Sequence, residues 1–96
     1  MMRSLEECRL ALDDVDRDIV RLFEQRMMIA RDVARCKMAC DLPVLDRSRE
    51  EIVLASRMSM LRDGHFAPGV RRLYECIVEL SREEQERLLK EEGKDA

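Results

Sequence analysis

Residues 5–38, LEECRLALDDVDRDIVRLFEQRMMIARDVARCKM, decide the fold of this chain. The stretch contains neither Gly nor Pro, and its apolar residues recur with the 3.6-residue period of an α-helix. These residues are Leu5, Cys8, Leu12, Val15, Ile19, Leu22, Phe23, Ala30 and Val33. We therefore predict that the chain begins with one long amphipathic helix.

Two basic residues, Arg26 and Lys37, lie within this apolar stripe. On a helix, their sequence separation places them within roughly 20° of each other and about 16 Å apart along the axis. A cation is costly to bury unless it is paired. The two residues therefore indicate an anionic partner, either a ligand or acids of another helix, unless both side chains extend into solvent.

The length of the first helix favours an assembly of two chains. A helix over residues 5–38 is about 50 Å long, whereas a compact domain of this size has a radius of gyration of about 12–13 Å. Such a chain cannot cover the apolar stripe by itself. Either the helix projects as a lone rod, or a second copy packs along it. We favour an intertwined helical homodimer.

The composition fits a single helical domain over residues 1–96. Charged residues make up 41% of the chain and aromatic residues only 3%, which favours a helical bundle over a β-sheet. The net charge of −3 argues against nucleic-acid binding, which requires a basic face. The sequence has no apolar run of membrane-spanning length and no signal-peptide pattern at its start. We expect a cytoplasmic protein that binds neither nucleic acid nor membrane.

The cysteines do not form a metal motif. Cys36 and Cys40 are four residues apart, Cys8 and Cys76 lie far from them, and no C-x-x-C spacing occurs. With one histidine in the chain, zinc binding has little support. We expect buried, reduced thiols and neither a metal nor another cofactor.

Capping signals and Pro residues predict where the first helix begins and ends. Ser4 and Glu7 fit a capping box at its start, and we expect the helix to cover about residues 5–40. Pro43 then disfavours helix at the residue before it and lacks a backbone donor. The segment around Pro43 is therefore predicted to be a connector.

A second helix is predicted over about residues 47–62. Either Asp46 caps it, or Ser48 does so in a capping box with Glu51. Its apolar residues again recur at helical spacing, so one face of this helix is expected to pack against the rest of the chain.

A third helix is predicted over about residues 67–91. Pro68 suits its first turn, and Gly93 suits its C-terminal cap. Ser81 and Gln85 lie one turn apart within its apolar stripe, where each is either a satisfied core polar residue or part of a site. The whole chain is thus predicted to be all-α, with three helices.

A further set of residues, considered together, forms a recognisable pattern: Arg9, Val15-Asp16, Arg26, Lys37, Pro43-Val44, Asp46-Arg47-Ser48-Arg49-Glu50, Ser81 and Gln85. This pattern resembles the active site of the all-helical chorismate mutases. The similarity extends from about Leu5 to Leu89, and the chain is similar to the mutase domain that some bacteria fuse to prephenate dehydratase. The resemblance implies three helices, an intertwined homodimer and two sites that each contain residues of both chains.

The activity implied by this resemblance is the rearrangement of chorismate to prephenate in phenylalanine and tyrosine biosynthesis, without a cofactor. The resemblance assigns binding of chorismate to Arg9, Arg26, Lys37, Asp46, Arg49, Glu50, Ser81 and Gln85. In this pattern, Ser81 contacts a carboxylate of the substrate, while Arg49 completes the basic lining and holds neighbouring acids.

The family pattern also implies the catalytic roles. Arg26 and Arg9 of the partner subunit bind the two substrate carboxylates, since guanidinium groups pair with carboxylates at two points. Lys37 bridges a carboxylate and the ether oxygen of the breaking bond. Gln85 donates to the same oxygen, where negative charge grows, from the other side. Glu50 accepts a hydrogen bond from the ring hydroxyl.

Three other functions are consistent with a helical chain of this kind. An isochorismate pyruvate lyase shares the fold, but its pattern lacks the pair formed by Asp46 and Glu50. A non-catalytic dimerisation or regulatory module does not require all eight residue types at the ligand positions. A DNA-binding helical bundle is disfavoured by the acidic charge. We therefore favour a chorismate mutase.

Overall fold

The computed structural model describes residues 2–93, and the elements in this range are helical. Helix α1 covers Leu5–Ala39, α2 covers Arg47–Met58 and α3 covers Ala67–Glu92, with a short 3-10 helix at Gly64–Phe66 between the last two. The prediction of an all-α chain with three helices is confirmed. The first and third helices also end within one residue of their predicted bounds.

The predicted end of the second helix was wrong, because α2 stops at Met58 and not near residue 62. Two serine hydroxyls near this end donate to backbone carbonyls, Ser56 to Val53 at 3.2 Å and Ser59 to Ser56 at 2.6 Å. Beyond Met58, the amide of Met60 bonds to the carbonyl three residues earlier. This tighter hydrogen-bond pattern is typical of a 3-10 turn that closes a helix.

At the N-termini of α1 and α2, capping side chains accept hydrogen bonds from backbone N–H groups that have no partner within the helix. At the start of α1, Ser4 and Glu7 form the predicted reciprocal capping box, with bonds of 2.8 and 3.1 Å. At the start of α2, Asp46 accepts a hydrogen bond from the amide of Arg49 at 3.0 Å. Of the two caps considered for this helix, the structure therefore has Asp46.

The chain turns sharply after α1 through a Schellman motif. The amide of Asp41 donates to the carbonyl of Met38 at 3.2 Å, and the amide of Leu42 donates to the carbonyl of Lys37 at 2.8 Å. Asp41 has a φ of 56°, which is the left-handed conformation. This turn sets the direction of the connector that leads to α2.

Helix α3 packs against both α1 and α2. The apolar core is small: it consists of Ala30 and Ala34 on α1, Val53 on α2 and Leu88 on α3. The two alanines lie one turn apart, so they form a flat strip against which α3 can pack closely.

Ion pairs between α1 and α3 lie beside this core. Arg31 bonds to Glu84 at 2.8 Å and to Glu91 at 2.9 Å, and Arg35 bonds to Glu92 at 2.9 Å. The hydrogen bond from Arg35 lowers the pKa of Glu92 from its ordinary value. These contacts fix the position of the C-terminal half of α1 along α3.

The molecule is extended and thin. Its principal dimensions are 61 × 25 × 14 Å and its radius of gyration is 17.1 Å, well above the value of about 12–13 Å for a compact domain of this length. Within residues 2–93, α3 contacts both α1 and α2, whereas α1 and α2 do not contact each other. The three helices therefore lie side by side in a single layer.

The predicted apolar stripe of α1 lies at the surface of this layer, and much of its length is exposed. Its exposed residues include Leu5, Leu12, Val15, Ile19, Leu22 and Phe23.

The expectation of buried cysteines was wrong for this chain: Cys36, Cys40 and Cys76 are exposed and only Cys8 is half-buried, although all four are free. Across residues 2–93, no helix is both long enough and apolar enough to cross a membrane.

The left-handed conformation of Asp41 leads to a first testable prediction. An L-residue with a β-carbon is disfavoured in this conformation by roughly 1–2 kcal/mol relative to Gly. We expect Asp41→Gly to be more stable than Asp41→Ala by about 1 kcal/mol, because both substitutions remove the same carboxylate and differ mainly in this backbone preference. Urea unfolding followed by circular dichroism measures the difference. Equal stabilities, or a more stable Ala variant, would contradict the prediction.

Candidate active site

A cavity of about 340 Å³ lies between the three helices. Its volume is in the range of small-molecule sites. Seven of the eight predicted site residues line it: Arg26, Lys37, Asp46, Arg49, Glu50, Ser81 and Gln85. The eighth, Arg9, is an exposed residue of α1 outside the cavity. It lies about 25 Å from Arg26 along the helix axis.

The ammonium group of Lys37 joins three parts of the cavity wall. From α1, its Nζ donates to the backbone carbonyl of Val44 at 2.6 Å and to Oε1 of Gln85 on α3 at 2.9 Å. Both acceptors are uncharged, so the positive charge of Lys37 is hydrogen-bonded but not neutralised by them. An ammonium group has three donors, which leaves one N–H for a ligand.

Gln85 is the buried polar residue of α3, with a relative exposure of 7%. Because Lys37 can only donate, the atom of Gln85 that faces it must be the carbonyl oxygen. The amide nitrogen then lies on the other side, 3.4 Å from Oγ of Ser81. Lys37 thus fixes the orientation of the amide so that Gln85 presents a donor beside Ser81.

The two acids of the cavity are held in different ways. Asp46 uses one oxygen to cap α2. Glu50 is bound at two points by Arg82 of α3, with Nε to Oε2 at 3.1 Å and Nη2 to Oε1 at 3.4 Å. This hydrogen bonding to Glu50 raises the pKa of Arg82.

Arg82 corrects one expectation from the sequence. Arg49 was expected to hold the neighbouring acids, but Glu50 is held by Arg82 from another helix. The two residues are 32 positions apart, so no periodicity within one helix could have identified this pair. Only the packing of α2 on α3 brings them together.

Three arginines contribute to the cavity wall, and one of them was not predicted. Arg26 of α1 and Arg49 and Arg57 of α2 line the cavity. Within residues 2–93, none of the three forms an ion pair with a carboxylate. The pKa of Arg26 is lowered, mainly by burial and further by the charges of Arg57 and Arg49, although Tyr74 opposes this shift. The cavity therefore carries positive charge that suits an anionic ligand.

The remaining wall of the cavity is apolar. It consists of Ile29, Ala30, Val33, Val44, Val53 and Val78. Apolar walls restrict water and lower the local dielectric constant, so each hydrogen bond or charge inside acts more strongly than in bulk solvent. The arrangement can bind an anion, orient it and stabilise negative charge that develops near Lys37 and Gln85.

Comparisons with known proteins agree with this geometry. Residues 8–86 match the family described as chorismate mutase type II. The chain is also similar to a chorismate mutase of Methanocaldococcus jannaschii, with 24% identity over 92 residues that cover 95% of this chain and 93% of that protein. No solved structure gives a significant match. Since the family match covers most of the chain and includes all eight predicted site residues, the chain belongs to the type II chorismate mutases.

Proposed function

We propose that the cavity between the three helices is the active site in which this chorismate mutase rearranges chorismate to prephenate. The observation that carries the proposal is the meeting of two donors, Lys37 and Gln85, in a cavity whose arginines lack carboxylate partners within the described residues. Chorismate is a dianion, and unpaired guanidinium groups in an apolar setting suit its carboxylates.

The rearrangement requires positioning and electrostatics only. Within one molecule, the ether C–O bond breaks while a new C–C bond forms, and neither a proton nor an electron passes to the protein. Negative charge grows on the ether oxygen as its bond stretches. A donor aimed at that oxygen stabilises the transition state more than the substrate, by about 3–4 kcal/mol for one well-placed donor.

Lys37 and Gln85 are the donors in this mechanism. The third N–H of Lys37 and the amide nitrogen of Gln85 bind the ether oxygen from two sides. Their mutual hydrogen bond of 2.9 Å holds both in place before the substrate arrives, so little reorganisation is needed during the reaction.

Other residues select the reactive shape of the substrate. Arg26 binds a carboxylate, Ser81 contacts a carboxylate, and Glu50, oriented by Arg82, accepts from the ring hydroxyl with help from the backbone near Asp46. Binding at these separate points favours the compact conformer in which the reacting carbons are close together. Such preorganisation can supply several kcal/mol of rate enhancement.

The complete active site, in our proposal, requires a homodimer. A single layer of helices buries few apolar side chains, and the exposed stripe of α1 needs a second layer to cover it. Two long α1 helices packed together would bring Arg9 of the partner subunit to the cavity that Arg26 lines. The proposed cytoplasmic location agrees with the four free cysteines.

A direct assay tests the proposed reaction. The purified chain is expected to remove chorismate with prephenate as the product, without added metal or cofactor. Release of pyruvate from isochorismate, with no prephenate formed from chorismate, would instead identify a lyase. No turnover of either compound would leave a binding or regulatory module as the function.

The placement of Gln85 predicts that the activity of a Gln85→Glu variant depends strongly on pH. A carboxyl group at this position can donate to the ether oxygen only when protonated. Burial and the substrate carboxylates favour its protonation, whereas Lys37 at 2.9 Å from Oε1 of Gln85 favours its ionisation. We expect Gln85→Glu to be active at acidic pH and to lose activity steeply towards neutrality. Turnover of chorismate as a function of pH measures this.

Gln85→Ala provides the control for this prediction. It lacks the donor at every pH, so its kcat is expected to be about 10²–10³-fold below that of the parent throughout. If Gln85→Glu kept both the rate and the pH profile of the parent, Gln85 would not face the ether oxygen.

Subunit complementation tests the shared site. Arg9→Ala and Arg26→Ala are each expected to be inactive. Each mixed dimer contains one site with both arginines, so refolding an equal mixture should restore roughly a quarter of the parent activity. Arg3→Ala, which removes an arginine ahead of α1, is the control and should stay active.

Mixed dimers must first be detected, for example by two different affinity tags. A mixture that contains them and remains inactive would contradict the shared site, as would full activity of Arg9→Ala alone. Light scattering that shows an active monomer at micromolar concentration would contradict the dimer itself.

A further inference from the structure

Arg57 is a basic residue of the cavity that the family pattern did not include. It lies in the last turn of α2 and is half-buried. Its Nη1 donates to Oγ of Ser56 at 2.7 Å, and the hydroxyl of Ser56 in turn donates to the carbonyl of Val53 at 3.2 Å. The guanidinium group is therefore held in place by a hydrogen-bond chain anchored to its own helix.

The position of Arg57 mirrors that of Arg26. Arg57 lies 11 residues after Asp46 on α2, and Arg26 lies 11 residues before Lys37 on α1, which is about 16 Å in each helix. Lys37 bonds to Val44, just ahead of α2, so Lys37 and the start of α2 lie at the same end of the cavity. Arg26 and Arg57 accordingly belong to the opposite end.

Two unpaired cations at one end of a cavity repel each other. Both arginines line the same cavity, and the charge of Arg57 is one of the causes, after burial, that lower the pKa of Arg26. Neither has a carboxylate partner in the part of the chain that the structure describes. Such repulsion is relieved when an anion binds between the two groups.

We infer that Arg57 and Arg26 together form a clamp for one carboxylate of the substrate, at the end of the cavity opposite the ether-oxygen donors. A guanidinium group has five N–H donors. The bond to Ser56 leaves Arg57 enough of them for two-point pairing with a carboxylate. The inference rests on the proposed function and adds a substrate-binding residue to it.

Binding of a dicarboxylate tests this clamp separately from catalysis. The probe is a rigid bicyclic dicarboxylate that mimics the rearranging substrate, and calorimetry compares it with its two monomethyl esters. We expect Arg57→Met to weaken binding of the diacid by roughly 10–100-fold. Esterification of the clamped carboxylate should remove most of this difference, whereas esterification of the other carboxylate should preserve it.

Arg47→Met is the matched control. Arg47 lies on the same helix, carries the same charge and is exposed outside the cavity. Its substitution is expected to leave diacid affinity unchanged. If Arg57→Met does not fold by circular dichroism, Arg57→Lys replaces it, since Lys keeps the charge but not the two-point geometry. A smaller loss of affinity, seen for the diacid and for the ester that keeps the clamped carboxylate but not for the other ester, would then support the clamp.

The outcomes separate the clamp from the proposed function. Diacid binding that depends on Arg57 in a chain without mutase activity would support the clamp and overturn the proposed function. An active parent whose folded Arg57→Met or Arg57→Lys variant binds the diacid normally would overturn the clamp alone. Normal diacid affinity with a weakened dimer in ultracentrifugation would also overturn it, because Arg57 would then pair with an acid of the second copy.

Discussion

The cavity between the three helices depends on which groups accept hydrogen bonds from the charged ammonium group of Lys37. An ammonium group that is half-buried among helices needs hydrogen-bond acceptors, and this one has a backbone carbonyl and the side-chain amide of Gln85. A carboxylate partner would have satisfied the same donors and cancelled the charge. Two neutral acceptors satisfy the geometry and leave the charge for a ligand. One side chain thereby joins α1, the connector and α3 while keeping the cavity positive.

The other charged side chains of the cavity also differ in whether a side chain of opposite charge is paired with them. Arg82 lies behind Glu50 and pairs with it, so that acid is fixed in position and its charge is balanced. Arg26, Arg49 and Arg57 have no such balance within residues 2–93. The protein has a net charge of −3, yet its cavity is basic. An acidic chain can bind a dianion in this way because local arrangement, and not net charge, sets the potential inside a cleft.

Much of this organisation could be predicted from the sequence. Helical periodicity and capping residues gave the bounds of α1 and α3, because local backbone preferences determine them. Polar residues within apolar stripes, such as Arg26 and Gln85, pointed to a site because burying them unpaired is costly. The end of α2 was not predicted, because the helical spacing of apolar residues continues to Leu61 whereas the backbone beyond Met58 closes in a 3-10 turn. Arg82 was missed because its contact with Glu50 arises from packing between helices. Arg57 was missed because only the packing of the three helices forms the cavity that it lines, and Arg9 came from family resemblance alone.

The exposed stripe of α1 has a consequence for how the protein tolerates mutation. In the proposed dimer, the stripe packs against its own copy, so every substitution there enters the assembly twice. A change that costs about 1 kcal/mol for one chain costs about 2 kcal/mol for the pair, and a favourable change is doubled in the same way. In that dimer, substitutions at residues such as Ile19 and Leu22 change stability more than substitutions at equally exposed residues outside the contact. A substitution in the stripe of that dimer changes both sides of the contact at once.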